Sequence, residues 1–306
     1  MHPILLLVNT EDQPFYLERL DHAGITNIIL PGEPAENAEI IFGEPSLIKD
    51  VLQTVKNIKW VQATWAGVEP LLGKDMRKDY ILTNARGVFG GLMSEYVFGY
   101  LLFRERRILE RLKNQTNSIW DHSLTGSLRG KSLGLLGVGS IGSHIAKTGK
   151  HFGMKIRGYT FSSENCMFVD HYFHGRDIYD FAEGLDVLVS VLPNTQKTKK
   201  IVDSRLLEKL TAESVFINAG RGSAVDERAL ILALNTGKLG AAILDVFEQE
   251  PLPKEHPFWK TKNLIISSHS AAPSFPGDLC DLFINNYFDY LQGKPLKYVV
   301  DFEKAY

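Results

Sequence analysis

The sequence predicts a two-domain α/β protein with mostly parallel sheets, and three observations carry that prediction. Short apolar runs of strand length alternate with helically spaced segments along most of the chain. The alternation restarts after a polar, aperiodic stretch at residues 114–129. A chain of 306 residues is also longer than one ordinary core accommodates.

In the first half, residues 4–8 form a short buried-type strand. Residues 15–23 have helical spacing and stop at Gly24, and residues 25–30 are strand-like before Pro31-Gly32. Strands follow at 40–42, 60–63 and 81–84, with a helix at 47–56. Apolar residues three and four apart predict one long helix over 92–112. The second half opens with a strand at 132–136, a glycine-rich turn and a helix at 141–151. Strands follow at 155–159, 187–191, 215–218, 241–245 and 264–267, with helices at 204–209 and 227–236. After Pro273, a helix at 278–291 ends at Gly293, and a short tail at 295–300 remains. That segment is too small to be a domain and is expected to return to the first one.

Composition excludes several classes. Apolar residues at 44% and charged residues at 23% are ordinary globular values. With 34 basic and 36 acidic side chains there is no electrostatic case for a nucleic-acid partner. The basic run at 104–113 is broken by Glu105 and Glu110 and reads as a solvated helix face. Cys166 and Cys280 form no CxxC pair, which fits a reducing compartment. The start, MHPILLLVNTEDQ, reads as a strand and not as a signal peptide. No stretch approaches the roughly 18 apolar residues of a membrane span. The expectation is a soluble cytoplasmic protein without a membrane partner.

The glycine-rich turn is Gly137-Val138-Gly139-Ser140-Ile141-Gly142. It follows an apolar strand and opens a helix, the setting that makes GxGxxG meaningful. Gly137 permits the tight turn, Gly139 lets a pyrophosphate approach, and Gly142 lets helix and sheet pack closely. The N–H groups at the helix start, at Ser140, Ile141 and Gly142, then meet the phosphate. The second unit is therefore read as a doubly wound dinucleotide-binding domain. Its second strand ends at Thr160, not at the acid that usually bonds the adenosine ribose. Ser162 and Ser163 offer hydroxyls to a 2′-phosphate, so NADP(H) is expected before NAD(H). Glu164 is the residue able to stand in for the acid, and Arg157 lies within the strand.

Three further groups follow strands on the fingerprint side: Arg221 in INAGRGSAV, Glu250 in DVFEQEPLP and His269 in SSHSAA. Hydride transfer to a ketone needs a proton for the oxygen, and an imidazole suits that role. A carboxylate such as Glu250, buried against it, would favour the imidazolium and fix its tautomer. The guanidinium fork of Arg221 grips a carboxylate while polarising the adjacent carbonyl. Together the three point to a 2-oxo or 2-hydroxy acid. His171 and His174 lack the supporting cluster a metal needs, and GxSxG is absent. No metal is expected.

The stretches LRGKSLGLLGVGSIG, VLPNTQKTKKIV, FINAGRGSAVDERAL, ILDVFEQEPLP, SSHSAA, WVQATWAGVEPLL and ILTNARGVFGGLMSEYV resemble the D-isomer-specific 2-hydroxyacid dehydrogenase family, most closely its glyoxylate/hydroxypyruvate reductase branch. The resemblance covers essentially the whole chain. It implies reduction of a small 2-oxo acid in a cleft between two domains, with His269 as proton donor, Glu250 as its partner and Arg221 on the substrate. It places the substrate carboxylate at the loop Thr64-Trp65-Ala66-Gly67, with Arg86 and Met93 near the cleft, and assigns Leu192, Pro193 and Asp245 to the cofactor. It further implies a smaller flavodoxin-like substrate domain from 1–95 and 275–306, a dinucleotide domain from 96–274, and a homodimer formed through 92–129. Formate dehydrogenases of the family have glutamine where this chain has Glu250. Two alternatives stand beside the small-substrate reductase: one for bulkier 2-oxo acids such as phenylpyruvate, and a dinucleotide-sensing corepressor.

Overall fold

The computed structural model describes residues 2–303. It divides into two compact units: one holds the chain through Phe89 and again from Pro273, and the other is the continuous stretch Gly90–Ala272.

The first unit contains β1 (Ile4–Leu7), α1 (Gln13–His22), β2 (Ile28–Ile29), β3 (Ile40–Gly43), α2 (Pro45–Val51), β4 (Trp60–Ala63) and β5 (Ile81–Thr83). All pairings are parallel, in the order β2-β1-β3-β4-β5. That is the flavodoxin-like order. β1, β3 and β4 are buried at every residue, which is why they read as continuous apolar runs rather than alternating ones. The strand expected at 25–30 pairs only at Ile28 and Ile29, on the sheet edge.

The second unit opens with α3 (Gly90–Glu105) and α4 (Ile108–Thr116), then β6 (Ser132–Leu136), α5 (Ser140–His151), β7 (Lys155–Tyr159) and β8 (His171–Phe173). It continues with α6 (Ile178–Ala182), β9 (Val187–Ser190), α7 (Ser204–Leu207), β10 (Val215–Asn218), α8 (Glu227–Asn235), β11 (Ala241–Leu244) and β12 (Leu264–Ile266). The seven parallel strands lie in the order β12-β11-β10-β9-β6-β7-β8, so the order reverses between β6 and β9. Alternate side chains supply two cores. Val187, Val189, Val215 and Ile217 join α3 and α5 on one face, while Leu188 and Phe216 join α6, α7 and α8 on the other.

The single helix expected over 92–112 is two. Arg107 adopts a left-handed conformation, φ 52°, between α3 and α4. α3 buries Val97, Phe98 and Leu101, whereas α4 buries nothing, so no core contact keeps the two coaxial. β8 and α6 escaped the sequence reading because three edge residues and a five-residue helix are too short to show a period.

The last helix, α9 (Pro276–Leu291), belongs to the first unit. Phe283 stacks on Phe42, with centroids 4.2 Å apart, and on Trp60 at 5.3 Å. Buried Asn286 donates from Nδ2 to Gln62 Oε1 at 3.0 Å and accepts from the Lys297 N–H at 2.9 Å. The tail then bridges β5 through Thr83 and Val299, covering that sheet edge. Among the described residues no helix is long and apolar enough to cross a membrane.

Candidate active site and dinucleotide site

The glycine turn lies at the carboxyl end of β6, beside the point where strand order reverses, the usual ligand crevice of such sheets. Gly137 has φ 96°, which a side chain would strain, and a Cβ on Gly142 would lie 2.2 Å from the Gly137 carbonyl oxygen. A Cβ on exposed Gly139 would meet nothing within 4 Å. α5 then starts at Ser140 without a side-chain cap, and Ser140 and Ile141 sit half-buried in its first turn. Open space over helix N–H groups not capped by a side chain fits a pyrophosphate.

The loops after β9, β10 and β11 approach one another backbone to backbone. A Cβ on Gly220 would lie 2.6 Å from the Leu192 nitrogen, and one on Gly222 would lie 1.9 Å from the Phe247 carbonyl carbon. The two glycines flanking Arg221 are therefore spatial requirements that hold its loop between Leu192 and Phe247. Asn218, fully buried, ties the same loop: its Nδ2 donates to the Arg221 carbonyl at 3.1 Å, and its Oδ1 accepts from Gly220 at 3.3 Å. Arg221 Nη1 donates to the Gly220 carbonyl at 2.8 Å. Asp226 caps α8 through the Arg228 and Ala229 N–H groups. Leu192 is buried, Pro193 is half-buried, and the Thr198 hydroxyl donates to the Pro193 carbonyl at 2.7 Å.

His269 and Glu250 meet directly, with Nδ1 to Oε2 at 2.7 Å. The other oxygen of Glu250 accepts the Phe247 N–H at 2.9 Å, so the carboxylate is oriented from two sides. Burial against the histidine was expected, but the side chains are 56% and 36% exposed. An exposed pair contributes only about 0–1 kcal/mol of stability, so its effect is on orientation and tautomer. Glu250 thus joins His269 to Phe247, whose backbone packs on the Arg221 loop, and the three groups share one rim.

Asp245, 1% exposed, lies beneath that rim. Its Oδ1 accepts the Ser267 hydroxyl and the Ser270 N–H, both at 2.8 Å, and its Oδ2 accepts the Ala271 N–H at 3.1 Å. The Tyr96 hydroxyl lies 2.6 Å from Ser267 Oγ, and burial raises the pKa of that phenol. Tyr96, Ser267 and Asn218 were missed from sequence; Asn218 leaves the local signal of a polar residue ending a buried strand, Ser267 follows the half-exposed β12, and Tyr96 lies within α3.

At the end of β7, the Thr160 hydroxyl donates to the Ser163 carbonyl at 2.6 Å, folding the loop back. Ser162, Ser163 and Glu164 are exposed. Arg157 Nη1 donates to the Phe181 and Glu183 carbonyls at 3.2 and 2.8 Å, at the carboxyl end of α6. His174, the residue after β8, bonds Glu164.

The first unit groups its own candidates. Buried Asn84 donates to the Ala66 carbonyl at 2.8 Å, and Ala85 N–H donates to the Trp65 carbonyl at 3.1 Å. These bonds stitch the loop after β4 to the loop after β5. Trp65 is 38% exposed, Gly67 half-buried, and Thr64 Oγ1 is a buried hydroxyl with no hydrogen-bond partner. The Arg86 guanidinium lies 5.8 Å from the Tyr298 ring centroid. Met93 is half-buried on α3 of the second unit. Among the described residues, no group of three or more His, Cys, Asp or Glu is arranged to hold a metal.

Residues 98–271 match the family profile described as D-isomer specific 2-hydroxyacid dehydrogenase, NAD binding domain. Glyoxylate/hydroxypyruvate reductase A of Salmonella newport (strain SL254) is 31% identical over 260 residues, covering 82% of this chain and 83% of that protein. A D-isomer specific 2-hydroxyacid dehydrogenase family protein from Aeromonas salmonicida is similar in structure, with TM-score 0.89 and 40% identity over 98% of this chain and 99% of its own. The NADPH-dependent glyoxylate/hydroxypyruvate reductase of Sinorhizobium meliloti, solved with NADP and sulfate, has TM-score 0.86 and 26% identity over 100% of both chains.

Proposed function

The chain belongs to the D-isomer-specific 2-hydroxyacid dehydrogenase family and is an NAD(P)-dependent oxidoreductase, and from that premise we propose that it reduces glyoxylate, hydroxypyruvate or a similarly small 2-oxo acid to the D-2-hydroxy acid. The His269–Glu250 hydrogen bond carries this reading.

Nicotinamide dinucleotide, when bound, supplies the hydride. With Nδ1–H donated to Glu250, His269 presents Nε2 as the nitrogen that protonates the substrate oxygen. Arg221 holds the carboxylate and polarises the carbonyl. Backbone N–H groups of Trp65, Ala66 and Gly67 receive the carboxylate, and Arg86 borders the substrate side group. Gly137, Gly139, Ser140, Ile141 and Gly142 take the pyrophosphate. Thr160, Ser162 and Ser163 meet the adenosine ribose, and Leu192, Pro193 and Asp245 border the nicotinamide side. NADP(H) is the preferred cofactor and NAD(H) the second, in line with the NADP held by the Sinorhizobium reductase. Exposed Ile108, Leu109, Leu112, Ile119, Trp120 and Leu124 form the face of a homodimer through 92–129.

The test is oxidation of NADPH and NADH with glyoxylate, hydroxypyruvate, pyruvate and phenylpyruvate, repeated with His269→Ala. The variant should bind dinucleotide normally and lose about 10²–10⁴ in kcat. Full kcat would remove His269 from the mechanism. Faster turnover of phenylpyruvate would move the substrate to the bulkier class. Cofactor binding with no turnover of any acid would favour the sensor reading.

A further inference from the structure

The adenosine ribose of a dinucleotide meets the end of the second strand of such a sheet, where an acid accepts from a 2′-hydroxyl or an arginine receives a 2′-phosphate. Neither stands at the end of β7. Arg157, the one arginine of that strand, is committed to the carbonyls at the end of α6. The neighbouring strand fills the gap. Thr160 N–H donates to the Phe173 carbonyl at 3.2 Å, which brings His174 over the end of β7 from β8.

Both nitrogens of that ring face acceptors, an arrangement that suits its charged form. His174 Nδ1 lies 3.0 Å from the Thr160 carbonyl oxygen, and Nε2 lies 2.7 Å from Glu164 Oε1. Both partners only accept. The Thr160 hydroxyl, 3.3 Å from Nδ1, has its proton engaged with the Ser163 carbonyl. Only an imidazolium donates from both nitrogens. Tyr172 lies parallel to the ring, with centroids 6.3 Å apart.

We propose that His174 is the cation that selects an adenosine 2′-phosphate, and that Glu164 is the resident counter-ion the phosphate displaces. This rests on the reading of the chain as NADP(H)-preferring. Glu164 is 60% exposed, so its release into water is cheap, whereas a phosphate oxygen takes over a charge-assisted bond from Nε2. Lys197, 4.3 Å over the Phe161 ring, adds a second cation near this loop. When His174 is neutral, Glu164 reverts to an ordinary strand-end acid, suited to a 2′-hydroxyl and repelling a phosphate. Glu164 first, then the Thr160 carbonyl and the charges of Glu164 and Asp177, raise the His174 pKa above its ordinary value. The cation therefore persists to higher pH than in a free histidine and is lost as pH rises through the raised pKa.

Calorimetric binding of adenosine 2′,5′-bisphosphate and of 5′-AMP, from about pH 6 to pH 9, tests this without turnover. The bisphosphate should bind the wild type progressively less well, relative to 5′-AMP, as pH rises. His174→Gln should lose about tenfold in bisphosphate affinity at the acid end, along with the extra pH dependence, and should keep 5′-AMP affinity. Glu164→Gln, an exposed and structurally mild change, should bind the bisphosphate more tightly. The ligand phosphate titrates near pH 6 in every protein, so the difference between proteins isolates His174. Unchanged bisphosphate binding by His174→Gln at every pH overturns the selector, even if the wild type strongly prefers the bisphosphate. A wild type that prefers 5′-AMP throughout, yet loses its pH dependence on mutation, overturns the NADP(H) reading and leaves His174 its role.

Discussion

His269 sits at φ 53°, a left-handed conformation that costs a non-glycine residue roughly 1–2 kcal/mol. The hydrogen bonds around it offset that cost. Its N–H donates to the Asp245 carbonyl at 2.8 Å, while the Asp245 carboxylate clamps Ser267 before it and Ser270 and Ala271 after it. A strained residue so held has its backbone fixed, and the Nδ1 bond to Glu250 then orients the ring, as the proposed proton transfer requires. Arg221 is fixed by a different device, the absence of side chains beside it. Gly222→Ala would drive a Cβ into the Phe247 backbone, so the loops must part and Arg221 must move with them. The expected result is a loss of about 10² in kcat/KM with dinucleotide affinity nearly unchanged, since a shift near 1 Å has that effect. Wild-type kcat/KM in this variant would show that Arg221 does not depend on the close approach.

Elements differ in how firmly packing holds them. α3 is anchored by Val97, Phe98 and Leu101, and α4 by none of its own residues, so the chain turns at Arg107 even though the apolar spacing runs on. α9 is held by Phe283 between Phe42 and Trp60, with Asn286 satisfying buried Gln62. Phe283→Ala should therefore cost about 3–5 kcal/mol and lower Tm by on the order of 10 °C, read by calorimetry. A loss below about 1 kcal/mol would mean that α9 is not anchored by this stack.

At the scale of the whole molecule, each unit has its own sheet and its own apolar core. The second unit is continuous in the chain, and both its cores are closed within Gly90–Ala272. Residues 90–272 expressed alone should melt cooperatively and bind 5′-AMP. A fragment beginning at Ile108 removes Val97, Phe98 and Leu101 and should fail to fold. Equal stability of the two fragments would show that α3 is dispensable to this unit.

The sequence by itself determined the strand–helix alternation, the glycine turn at 137–142 and Arg221, Glu250 and His269 as the candidate residues at strand ends. These are legible because each is a local requirement: side-chain period marks a buried face, and glycine marks a turn or a close approach. Tertiary structure alone decided what meets these groups. His174 reaches Thr160 because β8 lies beside β7, Asp245 reaches the histidine loop because β11 lies beside β12, and Phe283 finds Phe42 across most of the chain. The break at Arg107 belongs to the same class, since both helices carry an acceptable spacing and only burial separates them. Contacts of this kind depend on strand order and on which faces are covered, and residue spacing along a chain encodes neither.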